Sequence, residues 1–200
     1  MKDQNSIDDH ESQEQKWNRG LDIFIESVQK PDSSLRACAH NQKCYHELMQ
    51  VRENNKITAI AGESSTGKTF FSLAVVKNFL DTNPNGYCLY FDTEASITKQ
   101  LLADRNIDLT RLVVINVVTI EEFRQKALKA VDKYLQLSED DRKPCMFVLD
   151  SLGMLSTEKE ITDALNEKQV RDMTKSQLVK GAFRMLTLKL GQANIPLIVT

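Results

Sequence analysis

The sequence lacks any long hydrophobic run. Even the apolar stretch at residues 112–118 is short and is interrupted by Asn116, whereas a membrane-spanning helix needs about 18 apolar residues. The first 15 residues, MKDQNSIDDHESQEQ, have no apolar centre of the kind a secretory signal requires. We therefore expect no membrane partner and a cytoplasmic location.

Cysteines are also few, and neither sign of charge is in large excess. The 200 residues include 4 cysteines, which without an export signal are expected to be reduced thiols. Lys and Arg number 26 and Asp and Glu 28, a net charge of −2, which excludes a globally cationic, histone-like nucleic-acid binder. A local DNA site stays possible, because affinity follows the position of charge rather than its sum.

What is present is typical of a globular protein with one sizeable core, since 41% of residues are hydrophobic and 27% charged. We divide the chain into an acidic, disordered tail at residues 1–20, a poorly defined segment at 21–55 and a partial core at 56–200. Within that core, apolar runs alternate with helical patterns. The runs cover residues 57–61, 87–91, 112–118, 146–149 and 196–200, and the helical patterns cover 68–80, 97–105, 120–137 and 161–190.

The apolar runs are continuous rather than alternating, which is typical of strands buried on both faces. Strands separated by helices favour a parallel, doubly wound sheet. We therefore predict an α/β fold, with a mostly parallel twisted sheet and helices on both faces.

The sequence GESSTGKT fits the phosphate-loop pattern G-x-x-x-x-G-K-[ST] and lies between a predicted strand and a predicted helix. Glycines let the backbone curl so that N–H groups face phosphate oxygens, and the helix start adds its positive dipole end. Lys68 is expected to reach the β- and γ-phosphates, and the Thr69 hydroxyl to ligate Mg²⁺. The predicted nucleotide-binding residues are Gly62, Glu63, Ser64, Ser65, Thr66, Gly67, Lys68, Thr69 and Phe70.

Two strand ends carry candidate acids for chemistry on ATP. Asp150 ends the run CMFVLD, where it is expected to hold Mg²⁺ opposite Thr69. The other strand ends in Asp92-Thr93-Glu94, and a hydrolase needs a base that orients water at the γ-phosphate. We predict Glu94 and Lys68 as the catalytic residues and a turn-capping role for Asp92.

The segments AGESSTGKT, YFDTEASIT, FVLDSLGMLSTEKEITDALNEKQVRDMTK and ANIPLIVT resemble RecA-type recombinases, in particular the phage UvsX recombinases, over about residues 54–200. The resemblance implies a RecA-like P-loop core and a DNA-dependent ATPase, located in the host cytoplasm if phage-encoded. Such a protein forms a helical filament on single-stranded DNA and promotes pairing and strand exchange with a homologous duplex. The implied partners are both DNAs, further copies of the chain, and single-strand-binding and mediator proteins, and the implied cofactors are ATP and Mg²⁺.

By the same resemblance, Ser151 supports the site and the first DNA-binding loop follows Leu155. Two features depart from the family: residues 48–55 lack its glycine-rich lead-in, and a polar γ-phosphate sensor and a second DNA loop would lie beyond Thr200. We therefore expect a core truncated at its C-terminus, from a fragment or divergent partial copy that binds ATP weakly and performs no strand exchange.

Basic residues between 159 and 184 alternate with acids, which by itself favours a solvated helix with i,i+4 charge pairs. DNA contact rests on the resemblance, and Lys168, Arg171 and Lys175 are the candidates because they follow a region expected to be flexible at residues 156–163. A cluster of Cys38, His40, Cys44 and His46 has four potential zinc ligands. Its spacing leaves no loop between ligand pairs, which favours a coincidental polar segment over a metal site. Cys88 and Cys145 are predicted core residues.

Two alternatives to a recombinase stay open: a helicase motor on the same fold, and a nucleotide-binding assembly module without turnover.

Overall fold

Five strands and five helices make up the part of the chain that the computed structural model describes, residues 57–166 and 174–200, and two helices lie in succession before the last strand. The strands are β1 (Ile57–Ala59), β2 (Tyr87–Asp92), β3 (Leu112–Asn116), β4 (Cys145–Asp150) and β5 (Leu197–Val199). The helices are α1 (Lys68–Thr82), α2 (Lys99–Asp104), α3 (Ile120–Gln136), α4 (Glu158–Leu165) and α5 (Lys175–Ala193). Short 3₁₀ turns occupy Glu139–Asp141 and Leu152–Met154.

The strands form one sheet in the order β1-β5-β4-β2-β3, and every neighbouring pair is parallel. All five predicted strands are present, with ends that differ by one or two residues. The register places Asp92 of β2 beside Asp150 of β4. The prediction of a parallel α/β sheet is confirmed.

Helices cover both faces of the sheet, as predicted. Alternate strand residues such as Tyr90 and Val148 pack with α1 and α2, while their neighbours Phe91 and Phe147 pack with α3 and α5. Every residue of β4 is buried, which explains its continuous apolar run.

Side chains fix several helix ends. The hydroxyls of Thr98 and Thr119 accept backbone N–H bonds at the starts of α2 and α3, both at 3.1 Å. At the end of α1, the Arg111 guanidinium donates to three backbone carbonyls at 2.8–3.2 Å and pairs with Asp108 at 2.7 Å. The three carbonyls belong to Leu80, Asn83 and Pro84.

Two sequence predictions about the region after β4 are wrong. Residues 161–190 do not form one helical stretch, because α4 ends before Asn166 and α5 begins after Thr174. Residues 156–163 are largely helical rather than flexible, because Thr157 and Glu160 form a reciprocal capping box. That signal, T-x-x-E, is visible in the sequence.

The predictions for the tail at 1–20, the segment at 21–55 and the Cys/His cluster at 38–46 lie outside the described residues. No helix within the described ranges is long and apolar enough to cross a membrane.

Candidate functional site

The predicted phosphate-loop residues and the candidate acids Glu94 and Asp150 lie along one edge of the sheet. Because all the strands are parallel, their carboxyl ends share that edge, which is where ligands bind in open α/β sheets. The loop at residues 62–67 follows β1, Asp92 ends β2 and leads to Glu94, Asp150 ends β4, and Thr200 follows β5. The fold thus brings together groups that are up to 138 positions apart in the sequence (62 to 200).

The loop before α1 curls through two residues in the left-handed backbone region, Ser65 at φ 63° and Gly67 at φ 87°. A side chain at Gly67 would be strained at that angle. At Gly62, an added Cβ would lie 3.0 Å from the Thr66 hydroxyl, which itself donates to the Glu63 carbonyl at 2.8 Å. The φ angle at the second glycine of the motif therefore favours glycine, and a side chain at the first would lie in tight contact with Thr66.

The Lys68 ammonium turns back over this loop. Its Nζ donates to the carbonyl oxygens of Gly62 at 3.0 Å and Glu63 at 2.7 Å. The N-cap residue of α1 is Gly67, which has no side chain to cap the helix. The loop therefore presents the Lys68 ammonium next to the positive dipole end of α1, an arrangement suited to a polyanion.

The ring of Phe70, the last of the predicted nucleotide-binding residues, contacts the end of α2. The Arg105 guanidinium lies 4.6 Å from the centre of its ring, a cation–π contact between α1 and the end of α2. In this structure Phe70 therefore links two helices.

Asp150 is buried, with 5% of its surface exposed, and both of its carboxylate oxygens are hydrogen-bonded. Tyr90 donates to Oδ2 at 2.6 Å, and the Thr200 hydroxyl donates to Oδ1. The Tyr90 hydroxyl also contacts the Ser72 hydroxyl at 2.8 Å, and Ser72 reaches the Thr69 carbonyl at 2.8 Å. A continuous chain of contacts thus joins the first turn of α1 to Asp150.

Burial raises the pKa of Tyr90 well above its ordinary value, and the neighbouring carboxylate of Asp150 raises it further. The phenol is therefore a neutral hydrogen-bond donor at any physiological pH.

Asp92 and Glu94 have different surroundings. Asp92 is 1% exposed, and its carboxylate accepts the backbone N–H groups of Glu94 at 3.0 Å and Ile97 at 2.9 Å. The predicted turn-capping role of Asp92 is confirmed. Glu94 is exposed, and its Oε1 lies 3.3 Å from the Ser151 hydroxyl, so its carboxylate is accessible at the shared edge.

Thr93 joins the ends of β2 and β4. Its backbone N–H donates to the Asp150 carbonyl at 2.9 Å, and its hydroxyl accepts the Ser151 N–H at 2.8 Å. The peptide bond between Asp150 and Ser151 is cis. These contacts place Glu94 and Ser151 side by side.

Sequence reasoning missed Tyr90, Ser72, Thr93 and Thr200 as site residues. A signal existed for Tyr90, because strand alternation places it on the same face as Asp92, two residues later. Ser72 and Thr200 have no such signal, since their proximity depends on how α1 and β5 pack.

The structure describes only one of the three candidate DNA contacts. Lys168 and Arg171 lie outside the described residues, and Lys175 is the half-buried first residue of α5. Because α5 connects the carboxyl end of β4 to the amino end of β5, its first residue lies towards the edge that holds the site. The predicted i,i+4 pairing appears in α4, where Lys159 and Asp163 are 4.0 Å apart.

No group of three or more His, Cys, Asp or Glu within the described ranges is arranged to hold a metal. Thr69 and Asp150 fit a different kind of site, since Mg²⁺ uses one or two protein oxygens together with phosphate and water. Cys88 and Cys145 are buried free thiols, as predicted. Burial raises the pKa of both, that of Cys145 to about 12.

Comparison with known proteins gives one informative similarity. No family model matches the chain. The chain is 35% identical over 139 residues to the "Recombination and repair protein" of Enterobacteria phage T4. That match covers 70% of this chain and 34% of the relative, so the chain spans about a third of the length of the protein it resembles.

Proposed function

We propose that this chain is the nucleotide-binding part of a RecA-type recombination protein that hydrolyses ATP on single-stranded DNA. The observation that carries the proposal is the shared sheet edge, where Lys68 in the phosphate loop, buried Asp150 and exposed Glu94 come together. The similarity to a phage recombination and repair protein supports the biological role.

The residues fit ATP and Mg²⁺. The loop offers an ammonium and the positive dipole end of α1, which suit phosphate oxygens. Thr69 and Asp150 offer hard oxygen ligands, which suit Mg²⁺. Bound Mg²⁺ would supply charge neutralisation at the β- and γ-phosphates.

Three residues of the site have distinct roles in this proposal. Lys68 exchanges the carbonyls of Gly62 and Glu63 for phosphate oxygens and places a positive charge where negative charge develops. Glu94 accepts a hydrogen bond from the attacking water and takes its proton, for which an exposed carboxylate at the shared edge is required. Asp92 stays a structural acceptor, because both its oxygens hold backbone amides.

Nucleotide binding is tested with a fluorescent ATP analogue and the variant Lys68→Ala. Lys77→Ala is the matched control, because Lys77 is an exposed lysine on the same helix that pairs with Asp81 at 2.6 Å. We expect Lys68→Ala to lose binding and Lys77→Ala to keep it. Equal affinity of the two variants would refute the phosphate-loop assignment.

DNA binding is tested by the salt dependence of affinity for single-stranded oligonucleotides. Each lost phosphate contact reduces the slope of log K against log salt by about 0.7, and we propose that Lys175, Lys168 and Arg171 supply such contacts. Lys129→Ala, an exposed lysine on α3, is the control for Lys175→Ala. A slope that is unchanged in Lys175→Ala would remove that residue from the DNA surface.

Electron microscopy with ATP and single-stranded DNA separates the proposed filament from its alternatives. Helical filaments support a recombinase, closed rings a helicase motor, and nucleotide binding without assembly or turnover a non-catalytic module.

A further inference from the structure

A buried tyrosine lies between α1 and the acid at the end of β4. Tyr90 has none of its surface exposed, and its ring packs among the apolar side chains between α1 and the sheet. Its hydroxyl is the one polar atom of that side chain, and it lies within hydrogen-bond distance of both Asp150 and Ser72. The phenol hydroxyl of Tyr90 is thus a polar group at a core position, and it is directed at the Asp150 carboxylate.

The number of hydroxyl hydrogens fixes which group donates in the chain of contacts between Thr69 and Asp150. An ionised carboxylate and a backbone carbonyl only accept, so Asp150 Oδ2 and the Thr69 carbonyl are the two acceptor ends of the chain of contacts. Between them, Ser72 and Tyr90 have one hydroxyl hydrogen each for three contacts of 2.8, 2.8 and 2.6 Å. Tyr90 donates to Asp150, and the single hydrogen of Ser72 is shared between the Thr69 carbonyl and the Tyr90 oxygen.

We propose that Tyr90 is a positioning residue that holds the Asp150 carboxylate in the orientation required for Mg²⁺ and couples it, through Ser72, to the first turn of α1. This inference rests on the proposed nucleotide site. Its physical basis is that a buried carboxylate without fixed hydrogen-bond donors can rotate, and rotation weakens a metal site.

The first turn of α1 is coupled to Asp150 because the Ser72 hydroxyl hydrogen is shared between the Thr69 carbonyl and the Tyr90 oxygen. A movement of Thr69 that lengthens its contact with Ser72 leaves the Ser72 hydrogen to Tyr90, which becomes a better donor to Asp150. Ser72 therefore acts on Asp150 only through Tyr90.

The test is a magnesium titration of nucleotide binding, monitored with a fluorescent ATP analogue. We expect Tyr90→Phe to raise the Mg²⁺ concentration for half-maximal binding about three- to tenfold, a fraction of the full value of a hydrogen bond to a charged group. Nucleotide affinity without Mg²⁺ should stay within about twofold of the parent value, because the loop and Lys68 do not contact the phenol.

Tyr134→Phe is the matched control. It also removes one phenol hydroxyl, which donates to the Lys143 carbonyl at 2.9 Å next to the amino end of β4, opposite the site. Its magnesium midpoint should equal that of the parent. An equal midpoint in Tyr90→Phe and Tyr134→Phe would overturn the inference.

A double-mutant cycle adds a result that a merely structural role would not produce. Ser72→Ala alone should raise the magnesium midpoint by about twofold, and should have no further effect in the Tyr90→Phe background. Additive effects would refute coupling through Tyr90. A Tyr90→Phe protein that fails to fold, judged by circular dichroism, would also overturn the positioning role, because the hydroxyl would then be needed for the fold itself.

Failure of the proposed function gives a different pattern. If the parent protein binds no nucleotide with or without Mg²⁺, the nucleotide site itself is wrong. If the parent binds nucleotide in a magnesium-dependent manner and Tyr90→Phe does not change the midpoint, only the role of Tyr90 is wrong.

Discussion

Two acids lie at the end of β2, with Asp92 as its last residue and Glu94 two residues later, and paired substitutions separate the structural role of one from the catalytic role of the other. Asp92→Asn retains the shape of the side chain but replaces one acceptor oxygen with an NH₂ group. One backbone amide, that of Glu94 or Ile97, then faces a donor instead of an acceptor. Glu94→Gln changes an exposed side chain whose nearest polar contact is 3.3 Å away.

The magnitudes follow from these contacts. Asp92 is 1% exposed, so the loss of one bond to a charged acceptor should cost about 1.5–3 kcal/mol. In a chain of this size, that corresponds to a Tm lowered by about 3–12 °C. Glu94→Gln should change the Tm by no more than about 2 °C and reduce ATP hydrolysis about 10²-fold or more, while nucleotide still binds.

The assay combines thermal unfolding by circular dichroism with nucleotide binding and phosphate release. Asp140→Asn and Glu139→Gln serve as controls, because both residues are exposed in the 3₁₀ turn before β4, at the other end of the sheet. Binding is measured first, so that turnover is compared only between variants that hold nucleotide. The reasoning is refuted if Asp92→Asn keeps its Tm and loses turnover while Glu94→Gln keeps turnover, since Asp92 would then be the base.

Four further predictions concern binding, stability, pH dependence and thiol chemistry. Lys68→Ala should weaken binding of a fluorescent ATP analogue at least about tenfold, since its ammonium supplies the loop's positive charge; a titration at fixed Mg²⁺ checks this. Arg111→Met should lower the free energy of unfolding by about 1–3 kcal/mol in a denaturant titration, because the carbonyls at the end of α1 lose their donor. Hydrogen bonds from Thr110 and Arg111 lower the pKa of the Asp108 carboxyl to about 2, so the stabilisation from this acid is present above about pH 4 and lost as the pH falls to about 2. Cys88 and Cys145 should not react with a thiol reagent at pH 8 until the protein is unfolded, because burial raises the pKa of both thiols; their rapid labelling in the native protein would contradict the buried positions.

Local patterns predicted most of the fold because each of them reports on a short stretch of chain. The continuous apolar run at β4 predicted a strand covered on both faces, and all of its residues are buried. The glycine spacing of the phosphate loop predicted a curled backbone, and Gly67 has the required positive φ. The same kind of signal was available at Thr157 and Glu160, whose capping box begins α4 where flexibility was predicted.

The residues of the candidate site also include some that the sequence predicted and others that it did not. Asp150 and Glu94 were recognisable because each follows an apolar strand, and the carboxyl ends of parallel strands share an edge. Their partners were not recognisable, because a serine inside a helix and a tyrosine inside a strand are ordinary residues until the packing of α1 on the sheet joins them.

The sequence by itself thus determined the strands, most of the helices and the curled backbone of the loop before α1, since propensity, spacing and backbone freedom act over a few neighbouring residues. Only the tertiary structure decided the order of the strands, with β5 between β1 and β4. That order brings the Thr200 hydroxyl to Asp150, 50 positions earlier, and the packing of α1 brings Ser72 to Tyr90, 18 positions later. Such contacts depend on the register of strands and helices that meet only when the chain is folded, and no local pattern records them.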